Sequence, residues 1–178
     1  MKKYVIIASV ILTLAGCSAS AATAQLTSNV AVVTEAKQVP VHQRLIQTAK
    51  AYRNTAKMKQ VIKYLGTRVG RTSYVFSGAS PRGWDCSGLV RWTYEQFGIE
   101  LPHSANKQGH LGTRVSTPKL GDIVVFAYNG STNFYHAAIY IGNGKIINAH
   151  YGAHSTIIQP LTDYANGQIR FVRVIPTL

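Results

Sequence analysis

The chain has 178 residues, a formal charge of +13 and two cysteines, Cys17 and Cys86. That length supports one domain with a sizeable core, and so few cysteines exclude a disulfide-built fold. The basic charge is not joined by zinc-finger spacing, an RNA-recognition signature or a recognition helix, so nucleic acid is not the expected partner.

The first residues form an export signal. Lys2 and Lys3 precede an apolar run from Tyr4 to Leu14, followed by the small residues Ala15, Gly16, Cys17, Ser18 and Ala19. As a helix this run spans only ~16 Å, against a hydrocarbon core of ~30 Å, so it is a predicted signal peptide (1–16) and not a membrane span. Leu14-Ala15-Gly16-Cys17 is similar to a bacterial lipobox, in which the cysteine is lipidated and becomes the new N-terminus. Ala19-Ser20-Ala21 and Ala22-Thr23-Ala24 are alternative small-x-small sites that would release a secreted chain. Lipidation at Cys17 is preferred, because a cysteine directly after Leu-Ala-Gly is a restrictive placement. It predicts a lipid-anchored envelope protein, at the outer membrane in a two-membrane host, since Ser18 is not the aspartate that retains lipoproteins at the inner membrane. Either route leaves Cys86 as the one free thiol of the mature chain, and removal of residues 1–16 leaves a charge of +11.

Residues 17–40 are rich in Ala, Ser, Thr, Gln and Val and are predicted to be a flexible tether. One or two helices are expected over 41–65, from the spacing of Leu45, Ile46, Ala49, Tyr52, Ala56, Val61, Ile62 and Leu65. No Asp or Glu lies between Ala36 and Trp84, while Lys37, Arg44, Lys50, Arg53, Lys57, Lys59, Lys63, Arg68 and Arg71 do. This basic field suits anionic envelope polymers or lipid headgroups as partners, or is a solvated face. Tyr74 to Phe76 suggest a short extended piece. A helix then runs from about Cys86 to Phe97, with Asp85 as N-cap and Gly98 beyond its C-terminus. Strands are expected at Ile123–Ala127, His136–Ile141, Lys145–Ala149 and Ile169–Ile175. Helices first and antiparallel strands after give an α+β domain over 41–178, with N-terminal helices packed on a central antiparallel sheet.

The chemistry concentrates in two places. If Asp85 caps the helix, Cys86 is its first residue, beside unpaired N–H groups and the positive end of the helix dipole, which favour thiolate. Asp85 opposes this with its own charge, so its carboxylate is expected to be held by the cap. Gly88 leaves room that a substrate backbone could use. The second place is the strand that begins at His136 and turns at Gly142-Asn143-Gly144. A two-residue turn points Asn148 away from His136. A three-residue loop pairs Ile141 with Lys145 and Ala138 with Asn148, which puts Asn148 on the face of His136 and His150 opposite His136.

These pieces resemble the NlpC-type peptidoglycan peptidases, a circularly rearranged branch of the papain-like cysteine hydrolases. The resemblance covers about residues 57–175. It lies in Tyr74, in Asp85-Cys86-Ser87-Gly88-Leu89-Val90, in Leu101-Pro102-His103-Ser104, in Leu120 to Phe126 and in His136 to Lys145. It implies a papain-like fold with Cys86 as nucleophile, His136 as base and the Tyr74 hydroxyl as an oxyanion donor beside the Cys86 N–H. Asp85, Ser87 and His103 are then expected at the substrate. Where many relatives carry a histidine twelve residues after the base, this chain has Asn148, which can still orient the ring; His150 is the alternative orienter. No cofactor or metal is implied. His150 and His154 flank a glycine outside any expected helix, a weak zinc pair, and His42, His103, His110 and His154 otherwise look like ordinary polar residues. The expected reaction is hydrolysis of peptide bonds in peptidoglycan stems or cross-bridges. The rivals are a non-catalytic wall-binding module of the same fold and an acyl- or amide-transferring relative.

Overall fold

A computed structural model describes residues 40–176; the expected signal peptide, Cys17 and the expected tether up to residue 39 lie outside the described residues. The expected helical region is one helix, α1 (Val41–Gly66). Only its C-terminal part docks, through Met58, Val61 and Leu65. Continuing that face backwards at helical spacing meets Asn54, Lys50, Gln47 and Gln43, which are polar. Leu45, Ile46 and Tyr52, expected among the packed residues, therefore stay exposed. No helix among the described residues is long and apolar enough to cross a membrane.

A two-stranded ribbon follows, β1 (Ala79–Ser80) with β2 (Gly83–Trp84), and Tyr74 bridges to Trp84 in the parallel sense. Helix α2 (Cys86–Glu95) starts where Asp85 was expected to cap it. Its buried residues Leu89, Val90 and Tyr94 join the core with Trp84 and Met58. Between α2 and the next long strand, where no element was expected, lie a short helix, α3 (Ala105–Gly109), capped by Ser104, and a short strand, β3 (Thr113–Val115).

The sheet is formed by β3, β4 (Ile123–Ala127), β5 (His136–Gly142), β6 (Lys145–His150), β7 (Ser155–Pro160) and β8 (Gln168–Arg173). Its order is β3-β8-β4-β5-β6-β7, with every pairing antiparallel. Strand alternation sorts the side chains. Ile123, Val125, Ala137, Ile139, Ile147 and Ala149 face α1 and α2, whereas Val124, Phe126, Ala138 and Ile146 face the other side with Leu161, Tyr164 and Phe171. Strand β7 was not expected. Its Ser-Thr-Ile-Ile-Gln-Pro sequence is half polar and ends in proline, which the sheet tolerates because β7 is an edge. It is tied back by the Trp84 indole N–H, which donates to Thr156 Oγ1 at 2.8 Å.

One buried ion pair locks the far end of the sheet. Asp122, fully buried, accepts two bonds from Arg173, at 3.0 Å from Nε and 2.7 Å from its terminal nitrogen. Removing one partner strands the other charge. Arg173→Met is therefore expected to lower the unfolding free energy in urea by about 3 kcal/mol, because buried Asp122 would lose its counter-charge and keep the Lys119 backbone N–H, at 2.7 Å, as a donor.

Candidate active site

Cys86 enters the site because Asp85 holds the start of α2 in place. Asp85 Oδ1 accepts from the Gly88 N–H at 2.7 Å, from Ser87 Oγ at 3.0 Å and from His103 Nε2 at 2.9 Å. Its Oδ2 accepts from the Ser77 N–H at 2.9 Å. The carboxylate is thus committed inside the protein, as the capping role requires. Asp85 and Ser87 are both buried in this cluster, and the residues that line the cleft around Cys86 are others than these two and His103.

Gly88 has a different use from the one expected. A Cβ there would stand 1.9 Å from the Gly78 carbonyl oxygen. The room beside the helix start is filled by the loop before β1, so Gly88 is a packing requirement and not space for substrate.

The cleft itself has a volume of roughly 360 Å³ and is lined by Tyr74, Cys86, Tyr135, His136, His150, Tyr151, Gly152 and Tyr164. The sulfur lies against the backbone N–H of Ala137, the residue after His136. Cys86, His136, Tyr74 and His150 therefore meet in one place.

Asn148 shares a face with His136, by a route that combines the two expected turns. Asn143 and Gly144 both have positive φ, 52° and 67°, in a two-residue turn that pairs Gly142 with Lys145. A bulge between Tyr140 and Gly142 then shifts the register by one, so that Tyr140 pairs Ile146 and Ile139 pairs Ile147. The three-residue loop is not formed, yet the register it would have given is restored. Asn148 Oδ1 lies 3.0 Å from His136 Nε2. His150 meets the same ring only edge-on, at 6.2 Å between centroids, and its Nδ1 accepts the Ala153 N–H.

Two residues that the sequence did not single out extend this contact. Asn148 Nδ2 donates to Gln159 Oε1 at 3.1 Å, and Gln159 Nε2 donates to Asp163 Oδ2 at 3.2 Å. A carboxylate only accepts, so Asp163 sets the direction of the chain: Gln159 offers its oxygen to Asn148, and Asn148 offers its oxygen to His136. The ring then carries its proton on Nε2, leaving the Nδ1 lone pair free. Recognising β7 as a strand would have revealed Gln159, which alternation puts on the face of Asn148. Tyr164 carried no such signal. It stacks on Phe126 at 3.9 Å and on His136 at 5.7 Å with 15° between planes.

Burial lowers the His136 imidazole to about 4, opposed by the Asn148 hydrogen bond. Burial also pushes the Cys86 thiol up, helped by Asp85 and opposed by the backbone N–H groups of Ala137, Ser87 and Cys86. This corrects the expectation of a stabilised thiolate: the helix start is there, but desolvation outweighs it. The resting pair at neutral pH is a thiol beside a neutral imidazole. Burial raises the Tyr74 hydroxyl as well, with Cys86 and Asp85 adding to it, so Tyr74 stays a proton donor.

The family model described as NlpC/P60 matches residues 70–173. A probable endopeptidase of Mycobacterium tuberculosis is 42% identical over 91 residues, covering 50% of this chain and 22% of that protein. The murein DD-endopeptidase MepS/murein LD-carboxypeptidase of Escherichia coli is 42% identical over 95 residues, covering 52% of this chain and 47% of its own length. The chain thus spans between a fifth and a half of the curated relatives it matches. Among solved structures, an NlpC/P60 family protein of Bacillus cereus superposes with a TM-score of 0.62 at 29% identity, over 67% of this chain and 40% of that one.

Two measurements check the site. Alkylation of Cys86 by iodoacetamide, followed against pH, is expected to rise with an apparent pKa above the ordinary thiol value of about 8.5; a plateau reached below neutrality would mean a thiolate–imidazolium pair instead. Nitrogen NMR of the His136 ring should show the Nε2–H tautomer in the parent protein and in Gln159→Glu, whose carboxylate still accepts from Asn148. In Gln159→Leu the amide can flip, and loss of a bias of about 1 kcal/mol, roughly fivefold, should give a mixture of tautomers.

Proposed function

Because the chain belongs to the NlpC/P60 family, we propose that it is a cysteine endopeptidase of the bacterial cell envelope that hydrolyses peptide bonds in peptidoglycan stem peptides or cross-bridges. The observation that carries this reading is the directed hydrogen bond from His136 to Asn148, made at the cleft that also holds the Cys86 sulfur. A non-catalytic wall-binding module has no need of an oriented imidazole beside a lone thiol.

The reaction follows from the protonation states. As the sulfur attacks the scissile carbonyl carbon, the thiol proton passes to Nδ1 of the neutral His136, and the carbonyl π electrons move onto oxygen. The Tyr74 hydroxyl and the Cys86 N–H are the donors for that oxyanion. Collapse of the tetrahedral species breaks the C–N bond, and the imidazolium gives its proton to the departing amine. A thioester remains. Water then attacks it, His136 accepts the water proton and returns it to sulfur, and the carboxylic acid leaves. Asn148 keeps the ring in one tautomer through both halves. Moving the proton in the same step as attack suits a pair that burial keeps neutral, because no charge separation is required in the resting site.

The proposal extends to the whole chain: a signal peptide over 1–16, lipidation of Cys17, a tether over 17–40 and the peptidase domain over 41–178. Lipidation would hold the domain at a membrane surface, and the basic residues of α1 would face anionic headgroups or polymers there.

Digestion of purified peptidoglycan, with the released fragments weighed by mass spectrometry, tests the activity and names the bond. The parent protein should release peptide-bearing fragments, and Cys86→Ala should slow their release by about a thousandfold or more. Fragment release by Cys86→Ala at the parent rate would overturn the cysteine mechanism.

A further inference from the structure

The loop joining β4 to β5 carries a feature that the hydrolytic reaction does not use. Residues 128–135 are Tyr-Asn-Gly-Ser-Thr-Asn-Phe-Tyr, without one charged side chain in a protein of formal charge +13. Phe134 turns inward and is 3% exposed, but Tyr128 and Tyr135 at the two ends are 74% and 48% exposed. Their rings stack on each other with centroids 4.8 Å apart and 28° between planes. Core packing does not require this pair, and it leaves flat apolar faces in water. The platform is continuous with the cleft, because Tyr135 lines it directly beside His136. On the other wall, Tyr151 is 71% exposed and meets Tyr74 edge-on at 5.5 Å.

We propose that the Tyr128–Tyr135 pair is a saccharide subsite that holds an N-acetylated sugar of the glycan strand while the attached peptide occupies the cleft. This rests on the peptidoglycan reading given above and deepens it. The chemistry of the loop selects the ligand. A pyranose presents a face of C–H groups that stacks on an aromatic ring, and its hydroxyl and acetamide groups need neutral hydrogen-bonding partners. Asn129, Ser131, Thr132 and Asn133, between the two tyrosines, provide amides and hydroxyls of that kind. A phosphate polymer or the carboxylates of a stem peptide would call for lysine or arginine; the loop itself carries neither, and the guanidinium against it, Arg170, is taken up by the inward-turned Phe134 ring at 4.6 Å and the Gly109 carbonyl at 3.2 Å.

Calorimetric titration of the Cys86→Ala protein with chitotetraose, a neutral N-acetylglucosamine oligomer without peptide, tests the subsite apart from catalysis. Saturable binding is expected. Adding Tyr128→Ala should weaken it by roughly five- to tenfold, the scale of one aromatic stacking contact, and Tyr128→Phe should retain it. With Cys86 intact, the preference for glycan-linked stem peptide over the sugar-free peptide, taken as a ratio of kcat/KM, should fall by a similar factor in Tyr128→Ala. Absence of chitotetraose binding, or equal binding with and without the Tyr128 ring, overturns the subsite even if peptidoglycan is cleaved. Binding that depends on Tyr128 in a protein that cleaves nothing would keep the subsite and overturn the peptidase reading instead.

Discussion

Four donors converge on the Asp85 carboxylate: the N–H groups of Ser77 and Gly88, the Ser87 hydroxyl and the His103 ring. They come from the loop before β1, the first turn of α2 and the segment leading to α3, so a single carboxylate joins three pieces of chain that are separate in sequence. Burying a carboxylate is costly unless its lone pairs are taken, and here each oxygen is bonded. The start of α2 is thereby held against the sheet, and Cys86, as its first residue, is held with it. The close approach of Gly78 to Gly88 belongs to the same junction, because the carbonyl that excludes a Cβ at Gly88 also accepts the Asp85 N–H at 3.0 Å.

The other half of the site depends on parity. His136 and Asn148 lie on the sheet face opposite α2, together with Phe126, Ala138 and Ile146. A one-residue slip of the β5–β6 hairpin would send Asn148 into the helix-facing core. The bulge after Tyr140 prevents this, and β7 then brings Gln159 up to the outer edge of Asn148. A polarity that begins at an exposed carboxylate, Asp163, thus reaches the imidazole through two amides. Each amide by itself could point either way, so the direction comes from the Asp163 carboxylate and reaches the ring only through both amides.

Burial and orientation act together on the resting chemistry. Tyr164 stacks on the His136 ring and Phe126 meets it at a 35° tilt; both desolvate it, so above about pH 4 the imidazole is neutral while the thiol is still protonated. The helix start contributes N–H groups near the sulfur, but these compete with desolvation and with the Asp85 charge. In the proposed reaction the Cys86 N–H would have its larger use later, as a donor to the oxyanion.

Local pattern was enough for much of this. The capped helix at Cys86, the β4–β5–β6 strands and the α+β class follow from period, caps and turn residues, since each is decided by neighbours within a few positions. Cys86, Tyr74, His136 and Asn148 were legible as a set because their spacing survives in the chain. What local pattern left undecided was set by contacts across the fold. The exposure of Leu45 and Tyr52 depends on where α1 stops meeting the core, β7 exists as a strand because β6 offers it an edge, and Gln159, Asp163 and Tyr164 acquire meaning only once that edge forms. The thiol's protonation was the clearest reversal. A helix terminus can be read from sequence, whereas the desolvation that opposes it is a property of the assembled packing around Cys86, and here it is the larger effect.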